Sequence, residues 1–321
     1  MNARLVDIDA IRQAADRVLG VALRTPLVRC QVPGRAGRFE VKAESLQPIG
    51  SFKLRGAYNK IASLPAKQRG RGVVASSSGN HAQAVAYVAR EFGIRATIVI
   101  PEGAAEVKIA ATRGYGAKVV LVPPAQRDSV PLELAAEHGY ALVPPYDDPA
   151  VIAGTGTIGA EIAADRPDVD LVLVPVSGGG LISGVATAIK SLRPQARVVG
   201  VEPELAADAT ESFRRGERVE WTPEQTFRTA ADGLRVTTVG ALPWAHMTRY
   251  VDEMVTVTEE QIRDAVRLLA RSARLVAEPS GAVATAAYLA YPELAGGAAA
   301  TVAVVSGGNA DPVVFGEIMR G

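Results

Sequence analysis

Short runs of aliphatic and β-branched residues recur along the chain, separated by longer Ala-rich stretches with apolar positions every three or four residues. The runs Val73–Ala75, Ala96–Ile100, Lys118–Val122, Leu171–Val176, Val198–Val201, Met254–Val257 and Thr301–Val305 are continuous rather than alternating. That is the pattern of parallel strands covered on both faces. Between them the spacing predicts helices over Asn80–Phe92, Ala104–Arg113, Pro149–Ala164, Leu181–Leu192, Glu259–Leu269 and Gly281–Leu289. The N-terminal stretch also has helical spacing, with Asp9 as the expected cap. Alternating strands and helices predict an α/β fold with a parallel sheet. Turn clusters such as Pro144-Pro145-Tyr146-Asp147-Asp148-Pro149 link the elements, and no fixed-period repeat is present.

Composition narrows the function classes. The formal net charge is +1, without the basic excess of a nucleic-acid or acidic-membrane binder. No uncharged apolar run reaches the roughly 18 residues of a membrane span, and the N-terminus lacks the apolar core of a signal peptide. The expectation is a cytoplasmic protein with neither nucleic acid nor membrane as partner. A single cysteine, Cys30, leaves no internal disulfide and no Cys-based zinc site. His81, His138 and His246 are far apart in sequence. Only 7 of the 35 basic residues are lysines, so a lysine inside an apolar, glycine-flanked segment stands out.

Four segments lie where α/β sheets bind ligands, beyond strand ends or in glycine-flanked turns. Gly50-Ser51-Phe52-Lys53-Leu54-Arg55-Gly56-Ala57 puts Lys53 among apolar neighbours. Desolvation there lowers an amine pKa and suits a Schiff-base nucleophile. Ser76-Ser77-Ser78-Gly79-Asn80-His81 joins a strand to a helix, whose first N–H groups can hold a carboxylate. Ser177-Gly178-Gly179-Gly180-Leu181 follows a buried strand and opens another helix. Three consecutive glycines are costly in chain entropy and make sense where backbone wraps a phosphate. The spacing matches neither the dinucleotide nor the P-loop fingerprint. Ser306-Gly307-Gly308-Asn309 is a strand end in small polar residues. By themselves these features reach a phosphorylated cofactor or substrate with a Schiff-base lysine.

In order and spacing, these segments resemble the fold-type II pyridoxal-phosphate enzymes, within them the threonine/serine dehydratase and serine racemase group. Supporting matches are Arg24-Thr25-Pro26-Leu27, Gly154-Thr155-Gly156-Thr157-Ile158, Ala231-Asp232-Gly233-Leu234 and Glu278-Pro279-Ser280-Gly281-Ala282. The resemblance implies a tryptophan synthase β-like α/β fold of two domains, each a mainly parallel open sheet flanked by helices. Residues 1–71 and 147–321 would form the large cofactor-binding domain and 72–146 the small one. The expectation is a chain without the C-terminal regulatory domain of biosynthetic threonine deaminases.

The resemblance also assigns roles. Lys53 holds pyridoxal 5'-phosphate and moves the Cα proton, and Phe52 packs beside the ring. Asn80 meets the phenolic oxygen. Ser177, Gly178, Gly179, Gly180 and Leu181 bind the phosphate through backbone N–H groups. Ser306 meets the pyridine nitrogen, with Gly233 and Glu278 near the ring. Ser77, Ser78, Gly79, Asn80 and His81 hold the substrate carboxylate. The implied activity is L-threonine/L-serine ammonia-lyase, releasing a 2-oxo acid and ammonia from a small hydroxy-amino acid. The alternatives are serine racemase and a 3-hydroxyaspartate dehydratase-like enzyme. Cysteine synthase and threonine synthase relatives, and a non-enzymatic phosphate-binding protein, rank below them.

Ser78 occupies the place of a serine that, in serine racemases, exchanges the Cα proton on the face opposite the lysine. Glu202, Ala206 and Asp208 match a Mg²⁺ or Ca²⁺ loop of the racemase-like members, and hard oxygen ligands suit such ions. Glu133 is expected where some relatives carry an arginine for acidic substrates, which favours a neutral side chain. Relatives of this kind form homodimers or other homo-oligomers, and that is the expected assembly.

Overall fold

Ten strands divide between two sheets in the computed structural model, which describes residues 4–32, 34 and 37–321. They are β1 (Leu27–Arg29), β2 (Arg38–Ala43), β3 (Val73–Ser76), β4 (Ala96–Pro101), β5 (Lys118–Val122), β6 (Ala141–Leu142), β7 (Leu171–Pro175), β8 (Arg197–Pro203), β9 (Glu253–Val257) and β10 (Ala300–Val305). The larger sheet runs β1-β2-β10-β7-β8-β9 and the smaller β5-β4-β3-β6. Every pairing is parallel except that of β1 with β2. This is an α/β fold with two mainly parallel sheets, each flanked by helices.

Strands β7, all apolar, and β10, apolar but for Thr301, are buried along their length. β2 differs: Arg-Phe-Glu-Val-Lys-Ala carries charges, yet five of its six residues are buried. The charges are paired. Glu40 accepts from Arg166 at 2.7 Å. Lys42 donates to Glu161 and to the Thr25 carbonyl, each at 2.6 Å. Unpaired, such groups would cost too much to bury. The first helix, Ile8–Val18, is capped by Asp7 rather than Asp9. Asp9 instead pairs with Arg12 on the exposed face.

Glycines let three helices meet closely. A Cβ on Gly154, in the Pro149–Asp165 helix, would lie 2.5 Å from the Arg55 carbonyl of the Lys53–Ser63 helix. One on Gly184, in the Gly180–Leu192 helix, would lie 2.4 Å from the nitrogen of Gly156. The Lys53–Ser63 helix thus rests on the Pro149–Asp165 helix. Its Leu54, Ala57 and Ile61 also join the apolar cluster beneath the small sheet. Among the described residues no helix is long and apolar enough to cross a membrane.

Candidate active site

The turn before Lys53 is stitched to the end of β10. Gly50 has a φ of +72°, and a Cβ there would collide with the Asn309 side chain at 2.3 Å. Ser51 forms an antiparallel bridge with Gly307. The Phe52 N–H donates to the Ser306 carbonyl at 3.0 Å, and Gly308 N–H to the Gly50 carbonyl at 2.9 Å. Lys53 then opens its helix, held two residues on by Arg55. That guanidinium makes six hydrogen bonds, to Glu44, Glu161, Thr157 and the Leu23 carbonyl. Lys53 Nζ donates to the Pro145 carbonyl at 2.7 Å and lies 5.1 Å from the centre of the Phe52 ring. Burial lowers its pKa to about 8, because an ammonium loses hydration there.

The glycine segment follows β7. Gly179 takes a left-handed φ of +86°, open to few residues other than glycine. A Cβ on Gly178 would sit 2.4 Å from the Tyr146 ring, and one on Gly180 2.8 Å from the Tyr146 Cα. Only bare backbone fits between Tyr146 and the start of the Gly180–Leu192 helix. The Ser177 hydroxyl is buried without a partner. An orphaned hydroxyl beside a helix N-terminus and a glycine turn fits a bound phosphate. Leu181, in the first helical turn, is buried.

The Ser76–His81 segment enters from the small sheet, between β3 and the Asn80–Glu91 helix. Ser77 Oγ accepts from the Gly79 N–H at 3.2 Å, and Ser78 is half-buried on the same turn. Asn80 donates to Glu278 at 2.7 Å and accepts from Asn309 at 2.8 Å. Both partners belong to the large-sheet side, so Asn80 reaches across the cleft. His81 lies 2.7 Å from the Val143 carbonyl. Burial first, and then the Lys53 charge, push its pKa down to about 3. The neutral ring donates from Nε2, so the His81 side chain is engaged with Val143 and its contribution to a carboxylate is its backbone.

The opposite wall comes from the large sheet. Ser306 is buried, its Oγ 3.5 Å from the Ser280 carbonyl. At that distance the contact is marginal and the hydroxyl is available to a ligand. The Gly233 N–H donates to Ser280 Oγ at 2.9 Å. A Cβ on Gly307 would meet Glu278 at 2.2 Å. Burial, with the charge of Asp232, raises the Glu278 pKa to about 7. Contacts therefore join Phe52 to Ser306, Asn80 to Glu278 and Gly233 to Ser280, and tie Lys53 through Pro145 and Tyr146 to the glycine turn.

Glu202, Ala206 and Asp208 form a second cluster at the end of β8. Glu202 accepts from the N–H groups of Ala209 at 3.2 Å and Thr210 at 2.6 Å, and from the Thr210 hydroxyl at 2.6 Å. Both carboxylate oxygens of Asp208 are buried without a partner. Burial raises the Asp208 pKa to about 7 and that of Glu202 well above the usual carboxylate range, where the Asp208 charge adds to the effect. Among the described residues no three His, Cys, Asp or Glu side chains group as metal ligands. The donor set here is two carboxylates and the Ala206 backbone.

Sequence reasoning missed Pro145, Tyr146, Asp232 and Lys108, since only folding brings them to the cleft. Glu133 is exposed on the Ser129–His138 helix. Burial raises the pKa of Tyr146, and the charge of Arg127, just before that helix, works against the rise.

Comparisons with known proteins place the chain in a family. An L-threonine ammonia-lyase of Thermotoga maritima is 46% identical over 98% of this chain and 79% of its own length. The crystal structure of a threonine deaminase from T.th. superposes with a TM-score of 0.89 at 40% identity, covering 95% of this chain and 99% of that one. Maize serine racemase superposes with a TM-score of 0.92 at 35% identity, over 99% and 98% of the two chains. The family profile described as "Pyridoxal-phosphate dependent enzyme" matches residues 18–307, and the chain belongs to that family.

Proposed function

We propose that this chain is an L-threonine/L-serine ammonia-lyase that expels the β-hydroxyl and releases a 2-oxo acid and ammonia. The observation that carries this reading is the desolvated Lys53 amine, its pKa lowered to about 8, next to Phe52, whose N–H is bonded to Ser306, a residue that carries a hydroxyl rather than a carboxylate. The names of the relatives support it. Pyridoxal phosphate, when bound, supplies the electron sink that lets a Cα proton leave.

The residues divide the remaining work. Ser177 to Leu181 would hold the phosphate, and Lys53 would hold the group through its amine. With a pKa of about 8, that amine is neutral in about a tenth of molecules near pH 7, far more than an ordinary lysine, and can accept the Cα proton. Ser306 would meet the ring nitrogen with a hydroxyl, which supplies no full negative charge, and this would favour loss of the β-hydroxyl over transamination. Ser77, Ser78, Gly79, Asn80 and His81 hold the substrate carboxylate through the start of the Asn80–Glu91 helix. Equimolar 2-oxo acid and ammonia from L-threonine and L-serine test the reading; release of neither would end it.

A second reading, serine racemase, draws on Ser78 and on the superposition with maize serine racemase. We also propose that Glu202, Asp208 and the Ala206 carbonyl hold Mg²⁺ or Ca²⁺. Two buried carboxylates without a cationic partner fit a hard cation completed by water. The reading takes 1–71 with 147–321 as one domain and 72–146 as the other, in a cytoplasmic homodimer or other homo-oligomer. Leu19, Leu23 and Leu46 are exposed apolar side chains that such an assembly would cover. Light scattering on the eluting protein measures its size.

A further inference from the structure

Lys108 lies in the first turn of the Glu106–Gly114 helix, beside the small sheet. Its amine ion-pairs with Asp232 of the short Asp232–Leu234 turn, which belongs to the large-sheet side. Both side chains are partly exposed, at 27% and 34%, so the pair sits at the rim of the cleft. Deeper in, Asn80 joins Glu278 and Asn309 across the same gap. Asp232 adjoins Gly233, whose N–H is fixed by Ser280. Lys108 and Asp232 act oppositely on Glu278: Asp232 raises its pKa and Lys108 lowers it. One rim pair and two interior hydrogen bonds therefore hold the two sheets together around Glu278.

We propose that Lys108 is a positioning residue: by pairing with Asp232 it holds the small sheet against the large one and keeps Asn80 on Glu278, so that a substrate carried on the Ser77–His81 turn meets the Lys53 amine. The role rests on the ammonia-lyase reading for its catalytic consequence, but the joining of the sheets does not. A rim ion pair is the right device for this. It is strong enough to bias the joined arrangement, and water can still separate it to admit substrate.

The test uses Lys108→Met and Lys108→Arg. Lowering the fraction of joined molecules weakens apparent substrate affinity in proportion, so Lys108→Met should raise the KM for L-threonine about three- to tenfold and change kcat by less than about twofold. Wild-type KM should climb between low and high NaCl as the pair is screened. The KM of Lys108→Met should ignore salt, and Lys108→Arg should behave as wild type. Hydrogen exchange on the protein stripped of cofactor gives a readout independent of turnover. In Lys108→Met the amides of residues 77–83 should exchange faster, and in Lys108→Arg at the wild-type rate. Wild-type exchange over 77–83 in Lys108→Met overturns the proposal, whether or not the protein deaminates threonine. So does an equal rise in KM in both variants. Faster exchange without any deamination keeps the role of Lys108 and removes only the ammonia-lyase reading.

Discussion

The amine of Lys53 and the carbonyl of Pro145 form a 2.7 Å hydrogen bond that ties the start of one helix to the segment returning from the small sheet. That segment is in contact with most of the cleft. Tyr146 packs on Gly178 and Gly180, Asp147 accepts from the N–H groups of Ala241 and Leu242, and Asp148 pairs with Lys60. The amine is thereby held on a backbone carbonyl of that segment before any ligand arrives.

Lys53→Ala should abolish 2-oxo acid formation. Loss of a positioned base alone is worth about 10²–10⁴ in rate, and here the covalent attachment of the cofactor is lost with it. The variant should fold, since the Arg55 network and the Phe52–Ser306 bond remain. Circular dichroism and a coupled 2-oxo acid assay check both halves. Turnover near the wild-type rate would remove Lys53 from the reaction.

Ser78→Ala separates the two catalytic readings. Racemisation needs a proton donor on the face opposite Lys53, whereas elimination from an L-amino acid needs only Lys53 and a proton for the leaving hydroxyl. The substitution should cut L-to-D interconversion by about 10²–10⁴ and leave dehydration of L-serine and L-threonine largely intact. Chiral chromatography after exchange in deuterated water reads this. Equal loss of both activities would make Ser78 a carboxylate-binding residue instead.

Stability should depend on pH through Glu202 and Asp208. The folded pKa of Asp208, about 7, exceeds its ordinary value of 3.8. Between those values the folded protein retains a proton that the unfolded chain has lost. Stability therefore falls as pH rises through that window and levels off above it. Mg²⁺ added after chelation should reverse the loss at pH 8 and do little at pH 5, where protons compete. At one hundred times its Kd an ion stabilises by about 2.7 kcal/mol, a shift of a few degrees in Tm. Glu202→Ala should remove the Mg²⁺ response. Thermal melts with and without the ion decide it, and a flat wild-type response sinks the metal assignment.

Gly154→Ala should destabilise the fold by about 1–3 kcal/mol, the usual cost of forcing a methyl group into a packed contact. The new Cβ would press on the Arg55 carbonyl at 2.5 Å and shift the helix that carries Lys53. A lower urea midpoint at unchanged slope, with weaker cofactor retention, is the expected pair of results. Gly114→Ala, where a Cβ meets nothing within 4 Å, should show neither.

Most strands are legible in the sequence because their residues are nearly all apolar, the half-exposed edge strand β5 included. The apolar runs match β5 to its observed ends, and β3, β4, β7, β8, β9 and β10 to within a residue or two. β2 escapes, because Glu40 and Lys42 look like surface residues until Arg166 and Glu161 arrive from other elements. The Lys53–Ser63 helix escapes for a related reason: Arg55 and Gly56 break the apolar period, yet both are buried against the Pro149–Asp165 helix. At the site, the lysine and the glycine cradle announce themselves through their neighbours in sequence. Glu278 meeting Asn80, or Lys108 meeting Asp232, depends on chain segments far apart, and no local pattern encodes it.

β10 is the last strand in sequence order yet lies between β2 and β7, and the residues after it fasten the Gly50–Phe52 turn. Asn309 donates to the Ile49 carbonyl, 260 residues away along the chain. A growing polypeptide thus exposes its lysine long before the partners of that turn have left the ribosome. Contacts of such long range are slow to form, so the cofactor site is completed only once the chain through Asn309 is free to fold back. Until then the nascent chain has no finished place in which to keep pyridoxal phosphate.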